Sequence, residues 1–178
     1  VALWRQHFVD RALGWALRFG MVITIVGAST GGLMTRPTTA QLEEGRATGR
    51  IAIAGAHTVG APDGGPGLPG TGWSVQHGDV RVPHFIGLHA MQVLPLLALA
   101  LGRRRPRTAR VRMMLVATAS YATLFAILLW QALRGQSLVQ PDRATIAALL
   151  VWAILTGLAT WFAATRRATT RNQAIAVA

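Results

Sequence analysis

Four long, almost uncharged apolar runs constrain this chain more than any other feature. Each is close to the twenty or so residues that a helix rising about 1.5 Å per residue needs to cross about 30 Å of hydrocarbon. They extend from about Trp15 to Met34, Val82 to Leu101, Met113 to Leu133 and Ala144 to Ala164. In lipid only helices and closed barrels satisfy their own backbone groups, and runs that are continuous rather than alternating choose helices. Arg18 lies near enough to the start of the first run to snorkel toward water. The second opens on Pro83, where a missing N–H costs a first turn nothing, and Pro141 and Asp142 precede the fourth as a helix start. A secretory signal is a poor reading of the first run, which is too long for such a segment, starts beyond position 12 and is followed by further spans. The expectation is an all-α polytopic membrane protein: one membrane domain over residues 1–178, built as a four-helix transmembrane bundle with one long outer Gly/Pro-rich loop, 36–81.

Composition supports this. Of 178 residues, 52% are hydrophobic and only 13% charged. A soluble domain carries nearer about 25% charged residues, and disorder is excluded by the apolar fraction. The absence of cysteine excludes disulfides, thiolate metal sites and thiol catalysis.

The net charge of +12 has a spatial pattern. Residues 1–18 carry +2, the connection 36–81 carries 0, the link GRRRPRTARVR (102–112) carries +6, the link 134–143 carries +1 and the residues after Thr165 carry +3. Alternate connections are rich and poor in arginine, the positive-inside pattern of four spans with both termini cytoplasmic, which places loop 36–81 outside a bacterial inner membrane. Contact with the lipid bilayer and its anionic headgroups accounts for the arginines, and no aromatic-interleaved basic patch points to nucleic acid.

The connection 36–81 is too long for a mere turn. Its start, TRPTTAQLEEG, sets Thr38 and Gln41 at capping-box spacing for a short surface helix. The stretch APDGGPGLPGTGW reads as a compact loop on the outer end of the bundle, ending in a tryptophan suited to the interface. It is either a tether or a lid over a site.

The segment QHGDVRVPHFIGLHAMQ (76–92) brings His77, His84 and His89 together with Asp79, Arg81 and Gln92 where the chain enters the second span. Such side chains are costly in hydrocarbon and need partners. His89 and Gln92, three apart, share a helix face, whereas His84 and His89 diverge by roughly 140°. By depth, a ligand or proton site of His84, His89, Gln92, Ser29, Thr30 and Tyr121 is feasible, opening outward under the loop. The competing reading is interhelical hydrogen bonding. A zinc or copper site of His57, His77, His84 and His89 suits the donor type but lacks close ligand spacing. A bis-histidine haem needs a facing histidine that the other three spans do not supply. Proton sensing through His84 and His89 rests on imidazole being the side-chain type that titrates near neutrality. Asp79 and Arg81 read most simply as a helix-start carboxylate and an interfacial cation.

In GASTGGLM (27–34), Gly27 and Gly31, and likewise Ala28 and Gly32, are four apart and form a small-residue face for close helix packing. The motif also resembles the serine motif of rhomboid proteases, but Thr30 interrupts it and His57 lies in a connection, so nucleophile and base do not meet. No complete catalytic set is visible. The string GDVRVPHFIGLHAMQVLP (78–95) resembles a segment of uncharacterised bacterial integral membrane proteins that also have a Gly/Pro-rich connection ending in GW. That resemblance covers roughly residues 20–100 and implies membrane insertion but no activity. The functional expectation is a binding or accessory subunit of a membrane complex, with possible further subunits as partners and a histidine-containing outer site. Its alternatives are a metal- or haem-dependent redox or transport protein using His84 and His89, and a histidine-based proton-responsive carrier.

Overall fold

The structure is a computed structural model describing residues 2–102 and 105–166. Arg103, Arg104, Arg167 and Arg171, which contribute to the charge asymmetry above, lie outside the described residues. The chain is mostly helical, with helices α1 (Ala2–Arg5), α2 (Arg11–Ser29), α3 (Gly31–Met34), α4 (Thr39–Thr48), α5 (Arg81–Ala100), α6 (Arg107–Leu133) and α7 (Arg143–Thr165). A two-residue antiparallel ladder joins β1 (Thr58–Val59) to β2 (Gly78–Asp79). Four helical segments are long and apolar enough to cross a membrane: Arg11–Met34, Arg81–Ala100, Arg107–Leu133 and Arg143–Thr165.

The sequence places these segments closely, with one informative difference. The third begins six residues before the expected Met113, so Arg107, Arg110 and Arg112 lie in the first two turns of α6 and not in a link. Arginine is a good helix former, and nothing after Pro106 obstructs the helix. The first segment is interrupted at Thr30, between α2 and α3. Arg18 reaches back along α2, donating from Nη2 to the Gln6 carbonyl at 2.6 Å and from Nε to that of Leu3 at 3.3 Å. It thereby binds carbonyls at the end of α1, the direction expected of a snorkelling side chain.

Helices α2, α5 and α6 pack on one another, and α7 lies against α6. The α2–α5 seam is made of small residues. Ala12, Ala16, Gly20 and Gly27 of α2 are buried against Gly87, Ala90, Leu94 and Ala98 of α5. A Cβ added to Gly27 would lie 2.5 Å from the Gly87 Cα, so the two backbones touch and neither position accepts a side chain. Of the expected packing glycines, Gly27 makes this contact. Gly31 lies beside the His84 ring, and Gly32 and Ala28 face away from the other helices. Polar side chains join the helices elsewhere: Thr24 Oγ1 donates to the Leu88 carbonyl, and Trp152 Nε1 donates to that of Ser120. Helix α7 buries almost none of its apolar length, leaving Leu150, Ile154, Leu158 and Trp161 exposed.

Candidate functional site

The polar side chains expected to form a site inside the spans do not meet. His84 Nδ1 contacts the Gly27 carbonyl at 2.9 Å and Thr30 Oγ1 at 3.3 Å, while Thr30 Oγ1 donates to the same carbonyl at 2.6 Å. A carbonyl only accepts, so Nδ1 carries a proton here, and the pair caps the end of α2 on a carbonyl that also accepts from Thr30 N at 3.2 Å. The other four stand apart from this contact. His89 is half-buried, stacks on Phe85 at 3.9 Å and directs Nδ1 to the Phe85 carbonyl at 2.8 Å. Gln92 is exposed and, with its amide nitrogen turned to its own helix, donates to the carbonyls of Leu88 and His89. Ser29 is exposed and donates to the Ile25 carbonyl at 2.8 Å. Tyr121 donates its hydroxyl to the Ile86 carbonyl of α5 at 2.5 Å. The structure therefore brings together Thr30 and His84, and satisfies the rest locally or across one helix contact.

The four histidines considered as metal ligands are likewise divided. His57 and His77 lie in the 36–81 connection, His84 caps α2 and His89 stacks on Phe85. Among the described residues no three His, Asp or Glu side chains converge as a metal-ligand set, because His84 and His89 diverge around one helix and each is held by a different carbonyl.

A polar cavity forms instead within the connection itself. At its start the capping box forms as the spacing predicts: Gln41 N donates to Thr38 Oγ1, and Thr38 N donates to Gln41 Oε1 at 2.9 Å. The Gln41 side chain also binds both the N–H and the carbonyl of Gly55, fourteen residues on, and so folds the chain back. The β1–β2 ladder then closes a loop over residues 60–77. Gly78 lies so close to the end of α6 that a Cβ there would meet the Ala132 carbonyl oxygen at 2.0 Å, so glycine lets the hairpin seat on that helix end.

Asp79 organises this cap. Its side chain is 2% exposed and accepts from Ser74 N at 2.9 Å, Arg81 N at 3.0 Å, Arg81 Nε at 3.0 Å and Arg81 Nη2 at 2.7 Å. Arg81 also donates to the Gly72 carbonyl at 2.7 Å, which ties the glycine-rich stretch to the start of α5. A second carboxylate, Asp63, accepts from the N–H groups of His57 and Thr58. His57 Nδ1 lies between the two acids, 3.4 Å from Asp63 and 3.8 Å from Asp79. Burial pushes the carboxyl of each acid upward, but hydrogen bonds outweigh it. Those from Arg81 and Ser74 hold Asp79, and those from Thr58 and His57 hold Asp63, below the ordinary carboxylate value.

The resulting cavity measures about 410 Å³ and is lined by His57, Thr58, Gln76, His77 and Arg81, with Gly64, Gly65 and Gly72 forming much of its wall. The acids behind it are committed to internal hydrogen bonds and do not line it, so the polar side chains at its wall are two imidazoles, one amide, two hydroxyls and a guanidinium. That set recognises a small solute rich in hydrogen-bond acceptors. Reading the sequence singled out His57 and His77 as metal ligands and Asp79 and Arg81 as a simple helix start. Asp63 and Ser74 were not among them; for Asp63 the available signal was its turn position between Pro62 and Gly64.

Compared with known protein families, curated protein sequences and solved structures, the chain shows a significant match to none.

Proposed function

We propose that this chain is a small integral membrane protein, a four-helix transmembrane bundle of a bacterial cytoplasmic membrane, that acts as a binding or accessory subunit. Its outer face would bind a small polar solute in the cavity bordered by His57, His77 and Arg81. In this reading the arginine-rich ends of α2 and α6 face the cytoplasm and the 36–81 connection faces outward, as the distribution of arginine favours. The exposed apolar face of α7 contacts lipid or a further subunit.

The observation that carries the proposal is the ion-paired frame. Asp79 and Arg81 hold the loop shut, Asp63 fixes His57, and the two histidines remain at the cavity wall. A loop serving only as a tether has no need of a 2% exposed carboxylate with four donors. Burying that charge is worthwhile when it positions other groups.

The test is a thermal-shift panel of small carboxylates, sugars and amino acids on the purified full chain, alongside His77→Ala and His57→Ala. At least one compound is expected to raise the unfolding midpoint of the wild type and to lose that effect in both variants. Absence of any shift across the panel, or equal shifts in wild type and variants, would refute the outer-site reading. Orientation is tested separately: the chain has no cysteine, so Thr71→Cys and Thr108→Cys each give a single thiol. A membrane-impermeant maleimide should label the first and not the second in intact cells.

A further inference from the structure

A second cavity, of about 360 Å³, lies at the opposite end of the molecule, where α2 and α6 both begin. It is lined by Arg11, Arg105, Arg107 and Arg110 with a single acid, Asp10, a formal surplus of +3. Asp10 is fully engaged. One oxygen caps α2, accepting from Ala12 N at 3.0 Å and Leu13 N at 3.2 Å, and the other accepts from Arg110 Nη2. Arg110 is 8% exposed, and among the described residues its Nε has no hydrogen-bond acceptor. The first turn of α6 has no side-chain cap either, because its N-cap is Pro106. A buried guanidinium whose Nε lacks an acceptor, three further arginines and an uncapped helix start thus border one space, with the one carboxylate already used. Helix N-termini and arginine forks both favour phosphate oxygens, the former through N–H groups and dipole, the latter through paired donors.

From this we infer that the cavity is a phosphate-binding site. It is independent of the outer cavity and of the function proposed for it. The ligand chemistry is a phosphate mono- or diester, supplied either by the headgroup of an anionic phospholipid at the membrane surface or by a soluble phosphate compound. Arg105 and Arg107 reach the ligand from the start of α6 and Arg11 from the start of α2, while Arg110 fixes the wall between them through Asp10.

The test uses the full chain in detergent, with native mass spectrometry reading retained phosphatidylglycerol against phosphatidylcholine, and thermal shift reading inorganic phosphate. The variants are Arg105→Gln/Arg107→Gln and, as a same-end control outside the cavity, Arg5→Gln. Because truncating Arg110 strands Asp10 and risks misfolding, Arg110→Lys is used there. Selective retention of phosphatidylglycerol, weakened at least about tenfold in the double variant and unchanged in Arg5→Gln, supports the site with lipid as its source. A midpoint rise with inorganic phosphate that the double variant abolishes supports the same site open to soluble phosphate. Equal retention of the two lipids with no response to phosphate would overturn the inference. So would an equal loss in Arg5→Gln and the double variant, which would mark a diffuse field and no site.

Discussion

The two ends of this molecule handle charge in opposite ways. In the cap formed by the long connection, each carboxylate between residues 55 and 81 is answered from within the cap: Asp79 by Arg81 and Ser74, Asp63 by the N–H groups beside it. At the arginine-rich end four guanidinium groups border one cavity whose single aspartate pairs with Arg110. Charge compensated locally is spent on closing a loop, and the product is a shaped cavity. Charge left in surplus closes nothing, and the product is a place for an external anion. The same change, aspartate to asparagine, should therefore weaken one end and sharpen the other.

The largest effect is expected from Asp79→Asn. It leaves the Arg81 guanidinium without its counter-charge in a setting that is 2% exposed on the aspartate side and 31% on the arginine side. The cost to cap closure is about 3 kcal/mol, the range for breaking a substantially buried charge pair. Hydrogen exchange of amides 55–81 should then accelerate by about 100-fold while α5 and α6 keep their protection. Wild-type protection in the cap would show that the ion pair does not close it. Gly78→Ala comes next, because its Cβ would press on the Ala132 carbonyl oxygen and force the hairpin off the end of α6. Overpacking of this kind costs about 1–3 kcal/mol. Exchange should rise at residues 57–59 and 78–80 together; a rise at one strand alone would mean the ladder is not seated as a unit.

What the sequence could disclose divides along the same line. The four helices long and apolar enough to span were legible because one physical demand, about twenty apolar residues, covers each of them, and Gly27 was legible as a packing position because small residues recur at helical spacing. The Thr38–Gln41 box was legible because its bonds are local. The site was not. His89, Gln92 and Ser29 looked like residues in need of partners, but each found one on its own helix, bonding back to a carbonyl three or four residues earlier. Hydropathy does not distinguish a polar group satisfied by its own turn from one awaiting a ligand. The cap escaped for the converse reason: a two-residue ladder pairing Thr58 with Asp79 and Val59 with Gly78 has no periodicity to detect. The contact between Asp10 and Arg110, one hundred residues apart, exists only once α2 and α6 lie side by side.

Asp10→Asn is the counterpart of Asp79→Asn and the sharper test of the contrast. Asparagine still caps α2, since its amide oxygen can accept from Ala12 and Leu13, but its amide nitrogen then faces the Arg110 guanidinium, which is 9% exposed. Stability should therefore fall by about 2 kcal/mol, less than for Asp79→Asn because fewer donors lose a charged acceptor. Meanwhile the cavity gains a unit of positive surplus, and retention of phosphatidylglycerol should rise several-fold at low salt, with the gain shrinking as salt screens it. Unfolding midpoints and lipid retention measured on the same preparation separate the two effects. A variant that loses both stability and lipid would mean that Asp10 holds this cavity together much as Asp79 holds the outer one, and the contrast between the ends would fail.

The smallest effect over the working range is that of pH on the cap, and its sign is fixed by the carboxylates. Asp79 and Asp63 are both held below the ordinary value in the folded protein, in spite of burial, by the hydrogen bonds of Arg81, Ser74, Thr58 and His57. A depressed folded value means that these acids contribute stability that is fully present above the unfolded carboxylate value of about 3.9, and that it is lost as pH falls through the lower folded values. Once corrected for the intrinsic pH dependence of exchange, cap protection should therefore be insensitive to these two acids between pH 7 and 5, flat to within about 0.3 kcal/mol, and should decline only below about pH 4. Asp79→Asn removes the larger part of that decline, because asparagine does not titrate, and Asp63→Asn removes the remainder. A decline that begins near pH 6 in the wild type and persists in Asp79→Asn would mean that these two acids do not set closure of the cap.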